Sequence, residues 1–319
     1  MMQEKNVNCV VLLGPTAVGK TAIAVRLADK FGWDIISADS RQVYKGLDLG
    51  SGKDLSEYYV NGRQIPYHLI DIATLDSEYN VFCFQQDFYR TFNSLKAQGK
   101  FAFVAGGTGM YLDSVVRGYD LLTVPENLEQ KKELEKKSLE ELGAMLLSIK
   151  PELHNKSDLA IKERVVKALQ IELFKISPEG IKARSELLSR PKIEPLVIGT
   201  TLNRDELYKN IEIRLRQRIQ EGMIDEVENL HEQFSWERLE KLGLEYRFVS
   251  FYLEGKINSK EEMENQLCAS IRHFAKRQET WFRGMERKGV KIHWLPRETS
   301  KEARYLSAVE LIEKYVPEF

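Results

Sequence analysis

The chain has 319 residues, 43% of them hydrophobic and 30% charged, with a net charge of −1. That is enough for a full core in one large domain or two modest ones, and the absence of any run of about 18 apolar residues excludes a transmembrane helix. Near-neutral charge speaks against a nucleic-acid partner unless the positive charge is gathered into one patch.

The opening, MMQEKNVNCVVLLGP, lacks the basic region and cleavage site of a signal peptide, so it is expected to lead into a first strand. Val7–Leu13 is a continuous apolar run ending at Gly14-Pro15, which predicts a buried parallel strand. Thr21–Phe31 carries Ile23, Ala24, Leu27, Ala28 and Phe31 at helical spacing. Asp34–Ala38 predicts a second strand with Asp39 at its carboxyl end, and His68–Ile72 a third. Val81–Gln98 predicts a helix, Phe101–Ala105 a fourth strand stopping at Gly106-Gly107, and Pro195–Leu202 a fifth. Between the last two lies a charged segment whose apolar side is Leu128, Leu134, Leu139 and Leu142, followed by an amphipathic helix at Ile161–Phe174. From Asn203 the pattern is almost wholly helical until a short strand near His293-Trp294-Leu295. Alternating strands and helices predict an α/β fold: a P-loop NTPase-like parallel sheet flanked by helices. A helical insertion domain occupies 119–190, and the core takes in 1–118 and 191–319, ending in a helical C-terminal region.

Gly14-Pro15-Thr16-Ala17-Val18-Gly19-Lys20-Thr21 fits the phosphate-loop pattern, with a strand before it and a helix after it. Glycines let consecutive N–H groups point into one concavity, the helix N-terminus adds positive potential, and Lys20 adds a full charge. The Thr21 hydroxyl suits Mg²⁺ or a phosphate oxygen. The pattern does not say whether the anion belongs to a nucleotide such as ATP or to another diphosphate. Asp39, at a strand's carboxyl end beside this loop, suits metal binding, a helix cap or a base.

Three cysteines, Cys9, Cys83 and Cys268, stand far apart with no CxxC pair, which argues against a zinc site or disulfide framework and fits a reducing cytoplasm. Between Arg272 and Lys291 seven cations face two acids, a local excess of five positive charges. Arg272, Lys276 and Arg283 share one side by helical spacing, and Phe274, Trp281 and Phe282 supply apolar and stacking surface. This is the patch an RNA partner requires.

GPTAVGKT, SADSRQVYKGLDLGSGK, VAGGTGMYLDSVVRG, EIRLRQRIQEGMIDEVENL, YLEGKIN and AKRQETWFRG occur in order, and together they resemble the signatures of the tRNA dimethylallyltransferases, bacterial type, from about residue 8 to 295. The resemblance implies transfer of a dimethylallyl group from dimethylallyl diphosphate to an adenine amine next to the anticodon of tRNA. It implies a loop, residues Gly14–Thr21, that holds the diphosphate with Mg²⁺. Asp39 matches the family's base and Arg214 its diphosphate-clamping arginine; Thr21 completes the catalytic set. Tyr246 and Arg247 fall in the family's segment before YLEG, although Glu245 stands where the family usually has glycine. Implied tRNA contacts are Asp39, Ser40, Arg41, Gln42, Thr108, Lys131, Arg164, Lys167, Tyr246, Arg247, Lys276, Arg277 and Gln278. The stretch His154-Asn155-Lys156-Ser157-Asp158 departs from the family's His-Pro-Asn-Asp. A monomer off the membrane is expected. Competing readings are an adenylate prenyltransferase, a small-molecule P-loop kinase and an RNA-binding ATPase switch.

Overall fold

The computed structural model describes residues 7–122, 124–125, 127–151 and 159–316. Its first strand, β1 (Cys9–Leu13), is buried along its whole length and sits mid-sheet, as an unbroken apolar run demands. The phosphate loop follows and leads into α1 (Lys20–Phe31), which ends where Gly32 takes a left-handed conformation and returns its N–H to Ala28. Next come β2 (Asp34–Ala38), a two-residue hairpin of β3 (Tyr59–Val60) and β4 (Arg63–Gln64), and β5 (Tyr67–His68). The expected third strand, His68–Ile72, is thus almost all loop. Leu69 and Asp71 have φ of 63° and 55°, outside the β region, and the backbone turns to bond Gln42 and Val43 instead.

The core continues with α2 (Val81–Ala97), capped by the Asn80 side chain, then β6 (Ala102–Gly106) and α3 (Gly109–Val116). A separate compact unit, Tyr119–Lys192, contains α4 (Leu128–Glu135), α5 (Leu139–Ile149), α6 (Lys162–Lys175) and α7 (Pro178–Leu188). The single charged stretch expected there breaks at Ser138, whose hydroxyl and the Glu141 carboxylate form a reciprocal capping box. Leu134 and Leu142 join Leu146, Val165, Val166 and Leu169 in that unit's core, whereas Leu128 and Leu139 are exposed.

The other unit resumes with β7 (Pro195–Gly199), α8 (Arg204–Gln220), α9 (Met223–His231), α10 (Trp236–Glu240), α11 (Leu244–Leu253), the 28-residue α12 (Lys260–Arg287), β8 (Ile292–Trp294) and α13 (Lys301–Tyr315). The sheet order is β5-β2-β6-β1-β7-β8, with every pair parallel. Alternate residues of each strand feed opposite faces. Val10, Leu12, Ile35, Phe103 and Ile198 meet α1 and α13, while Val11, Leu13, Ile36, Val104 and Val197 meet α2, α3 and α12.

Parallel strands bring their carboxyl ends to one edge. Leu13 and Ala38 both pair with Gly106, so Gly14, Asp39 and Gly107 leave the sheet side by side. Glycine is required at this crossing. A Cβ on Gly106 would lie 2.3 Å from the Ala38 carbonyl oxygen, and one on Gly14 would lie 2.2 Å from that of Thr200.

Candidate active site

At that edge lies a cavity of ≈ 520 Å³, lined by Thr16–Thr21, Asp39–Gln42, Gly107, Thr108, Arg214, Glu245, Arg277, Gln278 and others. The loop forms because Ala17 and Gly19 adopt φ of 61° and 83°, which turns successive peptides around an anion-sized hollow. Three of its carbonyls are held by side chains. Lys20 Nζ donates to Pro15 at 2.8 Å, Asn210 of α8 to Ala17 at 3.4 Å, and Arg304 of α13 to Val18 at 3.2 Å. Gln278 of α12 ties the loop to β6: Thr16 N–H donates to its Oε1 at 2.9 Å, and its amide donates to Gly107 O at 2.8 Å.

Three cations converge here. Arg214 Nη2 donates to the Thr16 hydroxyl at 3.0 Å, and Arg218, one turn along α8, donates to Asp54 at 3.0 Å with 4% of its surface exposed. Burial lowers Lys20 to about 8, against the opposing pull of Asp39, and lowers Arg214 to about 10 with help from Arg218. Burial likewise lowers Arg41 and lifts Glu245, the latter opposed by Arg218, Arg214 and Arg41. Charges held out of water without full compensation favour an incoming counter-ion, and here the unsatisfied sign is positive.

Asp39 does not cap a helix. Its Oδ1 accepts the N–H groups of Arg41 at 2.9 Å and Gln42 at 3.4 Å, closing a turn over residues 40–43. Both bonds fall on one oxygen, and Asp39 lines the cavity together with the loop. The Ser40 N–H donates to Thr108 Oγ1 at 3.0 Å, and Gln42 bridges Ser37 and Gly52. The segment after it is pinned by Glu226, whose carboxylate accepts from Leu49 N, Gly50 N and the Tyr246 hydroxyl.

Several expected RNA contacts change meaning. Tyr246 is 0% exposed and packs on Gly50, so it supports the wall from behind and cannot touch RNA. Gln278 is buried and engaged at both ends of its amide, as a strut of the loop. Phe282 is 0% exposed within the sheet-facing core, which removes it from the stacking surface. Arg272 pairs with Glu212 at 3.3 Å and lies over Tyr208, so it is not part of an open cationic face. The rest of α12 does present one: Lys276, Arg277, Trp281, Arg287 and Lys288 line an open groove of ≈ 610 Å³. Arg247 is exposed at the start of α11, its Nε donating to Glu240 O.

Lys131, Arg164 and Lys167 lie in the separate unit, half-buried on α4 and exposed on α6 respectively. His154–Asp158 lie outside the described residues. Asn210, Glu226, Lys301 and Arg304 join the site without having been expected from the sequence. Only Asn210, four residues before Arg214 on one helix face, had a local signal.

The donors present can be weighed against the needs of Mg²⁺. Thr21, the second residue of α1, lines the cavity beside the loop. No cluster of three His, Cys, Asp or Glu suited to a metal occurs among the described residues. Thr21 therefore fits an ion that takes most of its oxygens from a bound diphosphate and water, which is the usual habit of Mg²⁺.

A glycine-rich loop after the central strand of a parallel sheet, with a carboxylate at the next strand's end, defines the P-loop NTPase-like fold class. The IPP transferase family matches residues 42–285, and the isopentenyl transferase family matches 7–68. The chain is 52% identical to tRNA dimethylallyltransferase 2 of Treponema denticola, over 90% of this chain and 95% of that protein. It is 48% identical to tRNA dimethylallyltransferase 1 of Syntrophus aciditrophicus, over 90% and 93%. The tRNA isopentenylpyrophosphate transferase of Bacillus halodurans superposes with a TM-score of 0.69 at 29% identity, covering 98% of this chain and 97% of its own. The chain belongs to the IPP transferase family, the prenyl transferases that include the tRNA dimethylallyltransferases.

Proposed function

We propose that this protein transfers the dimethylallyl group of dimethylallyl diphosphate to N6 of the adenosine just 3′ of the anticodon, position 37, in tRNA. The observation that carries the reading is one cavity shared by a cation-rich phosphate loop, Arg214 and the Asp39 carboxylate. The relatives named above act, by their names, on tRNA.

In the reaction the C–O bond to diphosphate breaks and an N6–C bond forms. The exocyclic amine is weakly nucleophilic because its lone pair is delocalised into the ring, so removal of its proton as the bond forms assists attack. Asp39 is the base, its orientation held by the two N–H groups on Oδ1. Negative charge grows on the leaving oxygen, where Lys20, Arg214 and the loop N–H groups meet it. Mg²⁺ held by the Thr21 hydroxyl would neutralise part of the diphosphate charge.

The adenosine must leave its stack to reach Asp39, a smaller cost from an anticodon loop than from a duplex. Ser40, Arg41, Gln42 and Thr108 form the wall that meets the flipped base. Lys276, Arg277 and Arg247, with Lys131, Arg164 and Lys167 of the separate unit, hold phosphates of the anticodon stem-loop. The protein acts as a monomer in the cytoplasm, where unmodified tRNA is found.

The test incubates protein, Mg²⁺ and labelled dimethylallyl diphosphate with unmodified tRNA or AMP. Label in tRNA, reduced about 10²–10⁴-fold by Asp39→Ala, is expected. Label in AMP alone would make the protein an adenylate prenyltransferase, and ATP turnover without prenyl transfer would make it a kinase.

A further inference from the structure

The phosphate loop has a second support that its own sequence does not announce: the distant helix α13. Lys301, the first residue of α13, lines the cavity, and its Cε lies 4.0 Å from the point a side chain on Gly19 would occupy. No hydrogen bond or ion pair among the described residues engages its ammonium, and the carboxylate that feels its charge, Glu57 on the same cavity wall, is shared with Arg214 and Arg218. Its neighbour Glu302 is turned away, paired with Arg26 of α1 at 2.6 Å, and Glu313 pairs with Lys30 at 3.2 Å. These pairs and the buried Ala308, Val309 and Ile312 lay α13 along α1.

One turn after Lys301 comes Arg304, 1% exposed. Its Nη1 donates to Val18 O at 3.2 Å and to Thr200 Oγ1 at 3.3 Å. Among the described residues no carboxylate lies within ion-pair range of it. Its hydrogen bonds go only to neutral acceptors, and the Glu206 carboxylate attracts it from beyond ion-pair distance. A buried guanidinium so placed is a costly choice for stability, since an apolar side chain would fill the space without the desolvation penalty. Its position explains the choice. In a planar trans peptide the C=O and the following N–H point in opposite directions. Holding the Val18 carbonyl against Arg304 therefore turns the Gly19 N–H away from Arg304. The same guanidinium adds positive potential beneath the hollow.

We propose that α13 belongs to the diphosphate site: Lys301 binds a phosphate oxygen directly, and Arg304 is a positioning residue that fixes the Val18–Gly19 peptide with its N–H toward the anion. The assignment rests on the reading that this loop holds the diphosphate of the prenyl donor. Lys301 adds a further cation to the cavity that Lys20 and Arg214 already line.

The experiment measures inorganic diphosphate binding by calorimetry, together with separate KM values for dimethylallyl diphosphate and tRNA. Lys301→Ala should weaken diphosphate binding about tenfold, the usual scale of one charge-assisted hydrogen bond. Lys314→Ala, an exposed lysine at the far end of the same helix, should bind like the unsubstituted protein. Arg304→Met should weaken diphosphate binding and raise KM for dimethylallyl diphosphate in proportion, with KM for tRNA unchanged. A purely structural Arg304 would instead lower the melting temperature and leave the KM ratio alone. If Arg304→Met does not fold, Arg304→Lys, which keeps the charge but loses the forked donor geometry, is expected to show the same KM split in smaller measure. Normal diphosphate binding by Lys301→Ala would overturn the direct bond to phosphate, and an unchanged KM ratio in the Arg304 variants would overturn the positioning role. Transfer by the unsubstituted protein with normal binding by Lys301→Ala would sink this assignment alone. Diphosphate binding without prenyl transfer would sink the proposed reaction and leave α13's role standing.

Discussion

The protein gathers positive charge in two places by opposite means. Around the phosphate loop, Arg218 is buried and Lys20 and Arg214 are half-buried, and burial drives Lys20 and Arg214 down in pKa. Along the outer side of α12 and just past its end, Lys276, Arg287 and Lys288 stand in solvent on an open groove, while Arg277 borders both that groove and the cavity. Desolvated cations attract one small anion strongly and are weakly screened, whereas solvated cations hold a polyanion loosely and lose their grip in salt. The difference suits a chemistry in which the diphosphate must be held through bond cleavage while the RNA has to come and go.

Arg214→Ala should produce the largest effect, a loss of about 10²–10³ in kcat with little change in tRNA affinity, because the charge it meets appears mainly as diphosphate departs. A comparable loss in tRNA binding would erase the distinction between the two regions. Lys276→Ala combined with Lys288→Ala should act the other way. It should weaken tRNA binding about tenfold and lower the slope of log affinity against log salt by about 0.7–0.9 for each phosphate no longer neutralised, with diphosphate binding intact. Tyr246→Phe should cost only about 1 kcal/mol of stability, because Glu226 loses its hydroxyl donor, and leave tRNA affinity unchanged. A weaker tRNA affinity in a fully folded variant would return Tyr246 to the RNA surface.

How far these features could be read from the chain depends on how local their causes are. The loop Gly14–Thr21 is one contiguous segment whose glycine, lysine and threonine each have a stated physical use, so it is plain in the sequence. The central strands are equally plain, because both faces of Val10–Leu13 are buried. The strand expected at His68–Ile72 fails on the backbone turns at Leu69 and Asp71; aspartate tolerates a left-handed conformation, but leucine gives no sign of one. Arg214 comes only from resemblance, since nothing in YKNIEIRLRQRI says which arginine reaches Thr16. Arg304 lies 286 residues from the carbonyl it holds, and Glu226 lies 177 from Leu49, so no window of sequence contains either pairing. Tyr246 and Phe282 are misplaced by sequence for a related reason. An aromatic ring within a basic or polar stretch looks alike whether it faces solvent or the core, and only packing decides.

The loop end works with a desolvated cation, and the titration of Lys20 exposes it. Diphosphate affinity should be measured across pH for the unsubstituted protein and for Lys20→Met, so that ionisation of the diphosphate itself cancels in the ratio. A bound anion favours the charged ammonium, so the ratio of the two affinities should be constant below about pH 8, where Lys20 is already protonated in the free protein. Above about pH 8 it should fall about tenfold per unit, because binding must then supply the proton as well. A ratio that stays flat to about pH 10 would mean that Lys20 keeps an ordinary lysine's charge, and the contrast between a desolvated site and a solvated surface would be wrong.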